Sequence, residues 1–274
     1  MRKALSFVVS AFIFIALTII TQIGGIVYLL AKAVTATFPF FKTKPKLWTA
    51  CVFLAIYLSA TFLIVPKLAP VFGRKPLPIS RDGNLIPLNR LTVLLNRHYV
   101  SSRLSKEIHT VANRFSKKHP DLSVTYLEAN FPFWDGFPLL PHLSHNDGNK
   151  LDLAFIYKDI NSGKLLSGES PAWLGYGIYE EPQKGEFHQA RACAKKGFFQ
   201  YDLLGRFTFS AERKMEMDQD KTENLIRELL NSKAIKKIFI EPHLKSRLGL
   251  GQEKKVRFHG CHAVRHDDHI HLQL

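Results

Sequence analysis

The stretch His266-Asp267-Asp268-His269-Ile270-His271-Leu272-Gln273-Leu274 alternates polar and apolar residues from His269 onward. Side chains alternate faces along a strand, so His269 and His271 point one way and Ile270 and Leu272 point to a core behind them. Two imidazoles on one face, backed by apolar side chains, make a rigid platform for a metal ion. Upstream, Val256–His259 and Ile235–Ile240 also read as strands, the latter closed by Pro242, with a short helix expected over His243–Leu250.

The same mixture continues toward the middle of the chain. Asp220 begins an amphipathic helix carrying Leu225, Ile226, Leu229 and Leu230, and Ser101 or Ser102 caps another with Leu104, Ile108, Val111 and Phe115 on one face. Pro120 stops that helix. Val124–Leu127 and Leu151–Tyr157 read as strands, and Asn161-Ser162-Gly163 turns the chain back into Lys164–Leu166. Helices and strands without a βαβ rhythm give an α+β fold with a small antiparallel sheet.

The N-terminal part has a different character. Ala4–Ala31 and Leu47–Val65 contain no charged residue and are rich in Ile, Leu, Val and Phe. A helix rises about 1.5 Å per residue, so roughly 20 such residues cross a hydrocarbon core of about 30 Å. Both runs are expected to be transmembrane helices, and the first is too long for the apolar stretch of a cleaved signal, about 7–15 residues. A signal peptide followed by one anchor is the alternative. The expected organisation is a membrane hairpin over residues 1–65, a Pro-rich linker over 66–90 and a folded domain over 91–274.

The net charge of +15 is concentrated at the membrane segments. Nine of the 38 basic residues precede Pro76 and no acidic residue precedes Asp82, which leaves 29 basic against 23 acidic residues in the rest. Cations beside membrane spans meet anionic headgroups, and the mild remainder does not call for nucleic acid. With two spans both termini share one side, and the basic residues then divide almost evenly between the two sides. Of the three cysteines, Cys51 falls in the second span. Cys193 and Cys261 are either a disulfide formed in an oxidising compartment or two buried thiols.

Twelve histidines are unevenly placed. His142 and His145 lie together, Asp152 follows seven residues after His145, and five histidines crowd the last sixteen residues. His98, His109, His119 and His188 read as polar surface. An Asp at the start of a buried strand, just after a turn at Gly148, can be held opposite the imidazoles of the last strand. Zinc takes His nitrogen and Asp oxygen, and a catalytic site keeps three protein ligands and one water.

Ser144-His145-Asn146-Asp147-Gly148-Asn149-Lys150-Leu151-Asp152 resembles the Ser-His-x-x-Gly-x-x-x-Asp motif of the LAS metallopeptidases, a group that includes lysostaphin-type enzymes, D-alanyl-D-alanine carboxypeptidases and the zinc-binding domain of Hedgehog proteins. His266-Asp267-Asp268-His269-Ile270-His271, with His142 three residues before His145, is similar to the penicillin-insensitive murein endopeptidase branch. The resemblance covers about residues 95–274 and implies a LAS/Hedgehog-like zinc-peptidase domain. It implies His145, Asp152 and His271 as zinc ligands, His269 as the group beside the attacking water, and His142 and His266 lining the site. It further implies peptidoglycan peptides as substrate, and that substrate places the domain on the periplasmic side of a bacterial cytoplasmic membrane; the hairpin that makes the protein multi-pass is read from the two apolar runs and lies outside the resemblance. A non-enzymatic zinc-binding interaction domain anchored to the membrane is the alternative. Some members of the wider group place Glu three residues before the last ligand, where this chain has Asp268.

Overall fold

The computed structural model describes residues 2–202 and 214–274. The helices are α1 (Arg2–Thr21), α2 (Gly24–Thr37), α3 (Pro45–Ser59), α4 (Val65–Leu68), α5 (Arg90–Leu94), α6 (Ser102–Lys118), α7 (Gln189–Lys195), α8 (Gln219–Leu230) and α9 (Pro242–Arg247). The strands are β1 (Arg74–Pro76), β2 (Leu85–Pro87), β3 (Tyr99–Ser101), β4 (Val124–Tyr126), β5 (Lys150–Ala154) and β6 (Tyr157–Asp159). They continue with β7 (Leu165–Leu166), β8 (Met215–Met217), β9 (Lys237–Phe239), β10 (Val256–Arg257) and β11 (His269–Gln273). Two compact units result: one of Met1–Leu77, Leu91–Ser102 and Asn130–Gly148, the other of Pro78–Arg90, Arg103–Ala129 and Asn149–Leu274.

In the first unit two helical stretches, Ala4–Thr21 and Pro45–Phe72, are long and apolar enough to cross a membrane. The first apolar run is not a single helix. Gln22 takes a positive φ of 67°, and the chain restarts as α2 two residues later. The buried Gln22 side chain accepts a bond from the Phe133 N–H at 3.1 Å. The turn is tight because Gly25 lacks a side chain: a Cβ there would meet Thr18 Oγ1 at 2.0 Å. Lys32 reaches Ser10 and Thr35 reaches Thr49, so α2 runs back along α1 and α3 runs back along α2.

The second apolar run continues past its expected end. Pro66 has no N–H for the Phe62 carbonyl, and the wider turn Ala60–Ile64 absorbs the mismatch so that helix resumes as α4. β1 and β3 pair antiparallel, with Arg74 opposite Ser101. His98, expected on the surface, is instead buried at 3% exposure, because its carbonyl accepts from Leu77 N–H and its ring packs on Tyr99 at 4.5 Å. Burial pushes its pKa down to about 3, so it is neutral at physiological pH.

The second unit is α+β, as expected. Its six-stranded sheet has the order β10-β9-β11-β5-β4-β2. The central pairs are antiparallel, as the sequence predicts, while both edge pairs, β10–β9 and β2–β4, are parallel. β7, β6 and β8 form a smaller sheet, with Lys158 opposite Leu165 as the turn signal at Asn161-Ser162-Gly163 predicts. Leu151, Leu153, Ile238, Ile270 and Leu272 are completely buried, as are Leu104, Ile108, Val111 and Phe115 of α6 and Leu225, Ile226 and Leu229 of α8. These side chains form the core. Asp218, two residues before the predicted helix start, caps α8 by accepting from Lys221 N–H at 2.9 Å. Arg114 then ties α6 to α8 through the Glu228 carboxylate and carbonyl, each at 2.9 Å.

Candidate metal centre

β11 lies between β5 and β9, and the antiparallel register places His271 opposite Asp152 on one side and Phe239 on the other. Cross-strand partners share a face, so Asp152, His269, His271 and Phe239 project from the side opposite the core residues Ile270 and Leu272. Asp152 is fixed at its backbone, its N–H bonding the Glu128 carbonyl and its carbonyl accepting from Leu127 N–H, both at 2.9 Å. Its side chain is fully buried. Oδ1 accepts from His271 Nδ1 at 2.8 Å and lies 3.7 Å from His269 Nε2. With Nδ1–H donating to Asp152, His271 Nε2 is left to accept from the Gln273 amide at 3.1 Å.

His269 has its own carboxylate. Its Nδ1–H donates to Asp268 Oδ1 at 2.5 Å, and Asp268 Oδ2 accepts from the Gly177 N–H at 2.6 Å. Asp268, which stands where some members of the wider group have Glu, is a partner that orients an imidazole, and it turns Nε2 of His269 toward Asp152. His266 enters from the segment before β11. Its backbone N–H donates to Glu241 Oε1 at 3.1 Å, and its carbonyl accepts from Glu241 N–H. Its ring lies 5.0 Å from that of His269 and 5.5 Å from that of His271. Ligand atoms of these three histidines fall within 4.8 Å of one another.

His266 Nδ1 is buried and has no hydrogen-bond partner among the described residues. Burial, with the neighbouring His269, His271 and His259 adding to it, holds the His266 pKa well below the ordinary histidine range. A neutral imidazole with a bare buried nitrogen beside a carboxylate is the donor chemistry of zinc and related ions. These buried His and Asp groups could therefore hold a metal ion.

His142 and His145 belong to the first unit. Both are buried, their rings are 5.6 Å apart, and His145 N–H bonds the His142 carbonyl at 2.9 Å. The glycine three residues after His145 has a structural reason. Gly148 sits at φ 77°, and a Cβ there would meet the Arg74 guanidinium at 2.5 Å. Its N–H donates to Asn130 Oδ1 at 3.0 Å and its carbonyl accepts from Ser101 N–H at 2.7 Å. Arg74 in turn pairs with Asp135.

Several groups at the second unit's cluster were not singled out by the sequence. Tyr176 donates its hydroxyl to Asp152 Oδ2 at 2.9 Å and sets its ring edge-on to His269 at 5.0 Å. Burial, then the Asp152 and Glu128 charges, raise its pKa well above the usual tyrosine range, so it stays a donor. His259 stacks on Phe239 at 4.2 Å and lies 5.2 Å from the His266 ring. Behind them Arg265 grips Asp267 through two bonds, reaches Glu181 at 2.9 Å and covers the Tyr179 ring at 3.7 Å. His243 donates to the Glu180 carbonyl at 2.7 Å, and Tyr201 bonds Glu241. Much of this support comes from Tyr176–Glu181, within the segment Glu169–Asp220 that no motif explains; residues 203–213 of that segment lie outside the described residues. Cys193 and Cys261 are joined by a disulfide.

The sequence matches no protein-family model, and no curated protein matches it.

Proposed function

We propose that the protein is a zinc-dependent peptidase anchored in a bacterial cytoplasmic membrane and acting on the peptides of peptidoglycan. The observation that carries this reading is the Asp268–His269 dyad aimed at the buried Asp152–His271 pair. The ligands in this reading are Asp152 and His271 with His145, which the motif spacing supplies seven residues before Asp152. Held by those three residues, zinc would lower the pKa of a bound water to near neutral and would itself polarise the scissile carbonyl. His269 Nε2 takes a proton from the attacking water and delivers it to the leaving amine nitrogen, while Asp268 fixes the tautomer and balances the imidazolium. His142 and His266 line the site.

Localisation rests on the helix order. The α1 turn-back puts Arg2, Lys3, Lys42, Lys44 and Lys46 toward the start of α1, against Lys67, Arg74 and Lys75 beyond the end of α3. Short flanks richer in Lys and Arg stay cytoplasmic, which favours the folded domain on the opposite, periplasmic side. A disulfide between Cys193 and Cys261 agrees with an oxidising compartment there.

The test is incubation of purified full-length protein with muropeptides, beside its His269→Ala variant. Loss of a proton-transfer group is expected to slow cleavage by roughly 10²–10⁴-fold while zinc is retained. Cleavage unchanged in His269→Ala rejects the assigned role. The bare Nδ1 of His266 supports a second reading, in which that nitrogen closes the site as a fourth ligand and the domain binds a partner without chemistry. Bound zinc that depends on His266, with no cleavage of any muropeptide, decides for it.

The hydroxyl of Tyr176 has a separable effect. Tyr176→Phe keeps the ring against His269 and removes the bond to Asp152, and zinc affinity is expected to fall roughly 10–100-fold. Competition titration against a chromophoric chelator reads this directly, and an unchanged affinity means that the hydroxyl does not orient the carboxylate.

A further inference from the structure

Between α1, α2 and α3 lies a groove of about 910 Å³ that the peptidase reading does not use. Val9, Ile13 and Leu17 of α1 and Phe53 of α3 give it apolar walls, and Lys32 and Lys46 supply its cations. The Lys32 ammonium bonds Ser10 Oγ at 2.9 Å and lies 5.6 Å from the centre of the Tyr28 ring, which also lines the groove. Ser10 is six residues inside the apolar stretch Ala4–Thr21, about 9 Å along the helix axis. An ammonium held at that depth is costly without a counter-charge. The protein offers none nearby in sequence, since no Asp or Glu occurs before Asp82.

We infer that this groove binds an anionic phospholipid, with the phosphate at Lys32 and Lys46 and an acyl chain along Val9, Ile13, Leu17 and Phe53. The lining is amphiphilic in the sense this ligand requires. Lys46 is at the start of α3, level with the start of α1, because Thr49 one turn further bonds Thr35 at the end of α2. Lys32 sits opposite Ser10 one to two turns deeper. Ile13, Leu17 and Phe53 follow beyond it on α1 and α3. A negative headgroup therefore meets cations first and hydrocarbon after. A zwitterionic lipid brings its own positive charge to the same two lysines and gains less.

The experiment uses the full chain in neutral detergent, exchanged against equal amounts of phosphatidylglycerol and phosphatidylcholine, with retained lipid measured by mass spectrometry. Phosphatidylglycerol is expected to be enriched roughly 10-fold or more over phosphatidylcholine, as two ammonium groups near an anionic phosphate predict. Lys32→Gln with Lys46→Gln is expected to abolish the enrichment, and Lys32→Arg with Lys46→Arg to keep it. Ile13→Trp fills the groove while leaving both lysines, and it should also lower phosphatidylglycerol retention. Helical circular dichroism confirms that each variant is folded. Equal retention of the two lipids in the parent overturns the proposal. So does enrichment that survives the double Gln variant, which assigns the selectivity to other basic residues. Enrichment insensitive to Ile13→Trp overturns it as well, because the cations then act as a general surface charge and not through the groove.

Discussion

Full-length protein purified without added metal is expected to carry near-stoichiometric zinc, and its His271→Ala variant almost none. His271 is a firmly placed candidate donor of the second unit. It lies on β11 in the middle of the six-stranded sheet, with backbone pairing to β5 and β9 on either side, so its Cα cannot shift without moving the core residues Ile270 and Leu272, and its ring is held by Asp152 and Gln273. Its partner Asp152 is pinned in the same way and is completely buried. Removing an outer hydrogen-bond partner of a ligand typically costs about 10–100-fold in affinity, and removing a ligand itself is expected to exceed that. The alanine variant also leaves Asp152 Oδ1 without its 2.8 Å donor, at a cost of about 1–3 kcal/mol for a buried polar group. Asp152→Asn is the companion variant, because it preserves volume and tests the charge alone. His109→Ala controls for metal held loosely by histidines in general, since His109 is on α6 and bonds only the Ser105 carbonyl one turn earlier among the bonds described. Elemental analysis gives the outcome. Zinc retained in His271→Ala transfers the ion to a different donor set, and zinc absent from folded parent protein removes the metal from the proposed chemistry.

The last strand was legible because its information is local. Alternation in His269-Ile270-His271-Leu272 fixes which side chains share a face wherever the strand is placed, and the pairing of His271 with Asp152 needs only that β5 lie next to it. Gly148 was legible for a related reason, since a turn between a loop histidine and a buried strand demands a backbone that glycine provides. Tyr176 and Gly177 were not legible. They stand in a loop with no periodicity, and their roles come from partners 24 and 91 residues away in sequence, Asp152 and Asp268. His98 misled because a lone histidine between Arg97 and Tyr99 has no local mark of burial; the pairing of its carbonyl with Leu77 N–H puts it inside. The break in the first apolar run had a faint signal. Hydropathy averages over Gln22 and the glycines that follow, yet one polar residue before Gly24-Gly25 is where a helix can reverse with its flanks in close contact.

Replacing Cys193 and Cys261 together with serine is expected to destabilise the protein by about 4 kcal/mol, from the chain entropy of a cross-link spanning 68 residues. The closed segment contains β8, α8, α9 and β9, so the bond restrains much of the unfolded second unit. In the folded protein it ties α7, where Cys193 is fully buried, to the turn between β10 and β11. That turn carries His259 and His262, and His262 packs on Phe198 at 4.4 Å just beyond α7. The candidate metal donors respond differently. Asp152 and His271 are held by sheet pairing, and His266 is held by two bonds to Glu241, none of which passes through the disulfide. Reduction should therefore lower resistance to urea while leaving zinc content near the parent level. Urea unfolding of the oxidised parent, the reduced parent and the double serine variant measures the first effect, and elemental analysis of the same samples measures the second. Under denaturing, non-reducing conditions only Cys51 should react with a thiol reagent. Three reactive thiols in that assay, or identical urea midpoints for all three samples, would show that the cross-link does not support the unit. Zinc lost on reduction would mean instead that the turn around Cys261 holds the donors, and that sheet register alone is not enough to keep His271 and Asp152 in place.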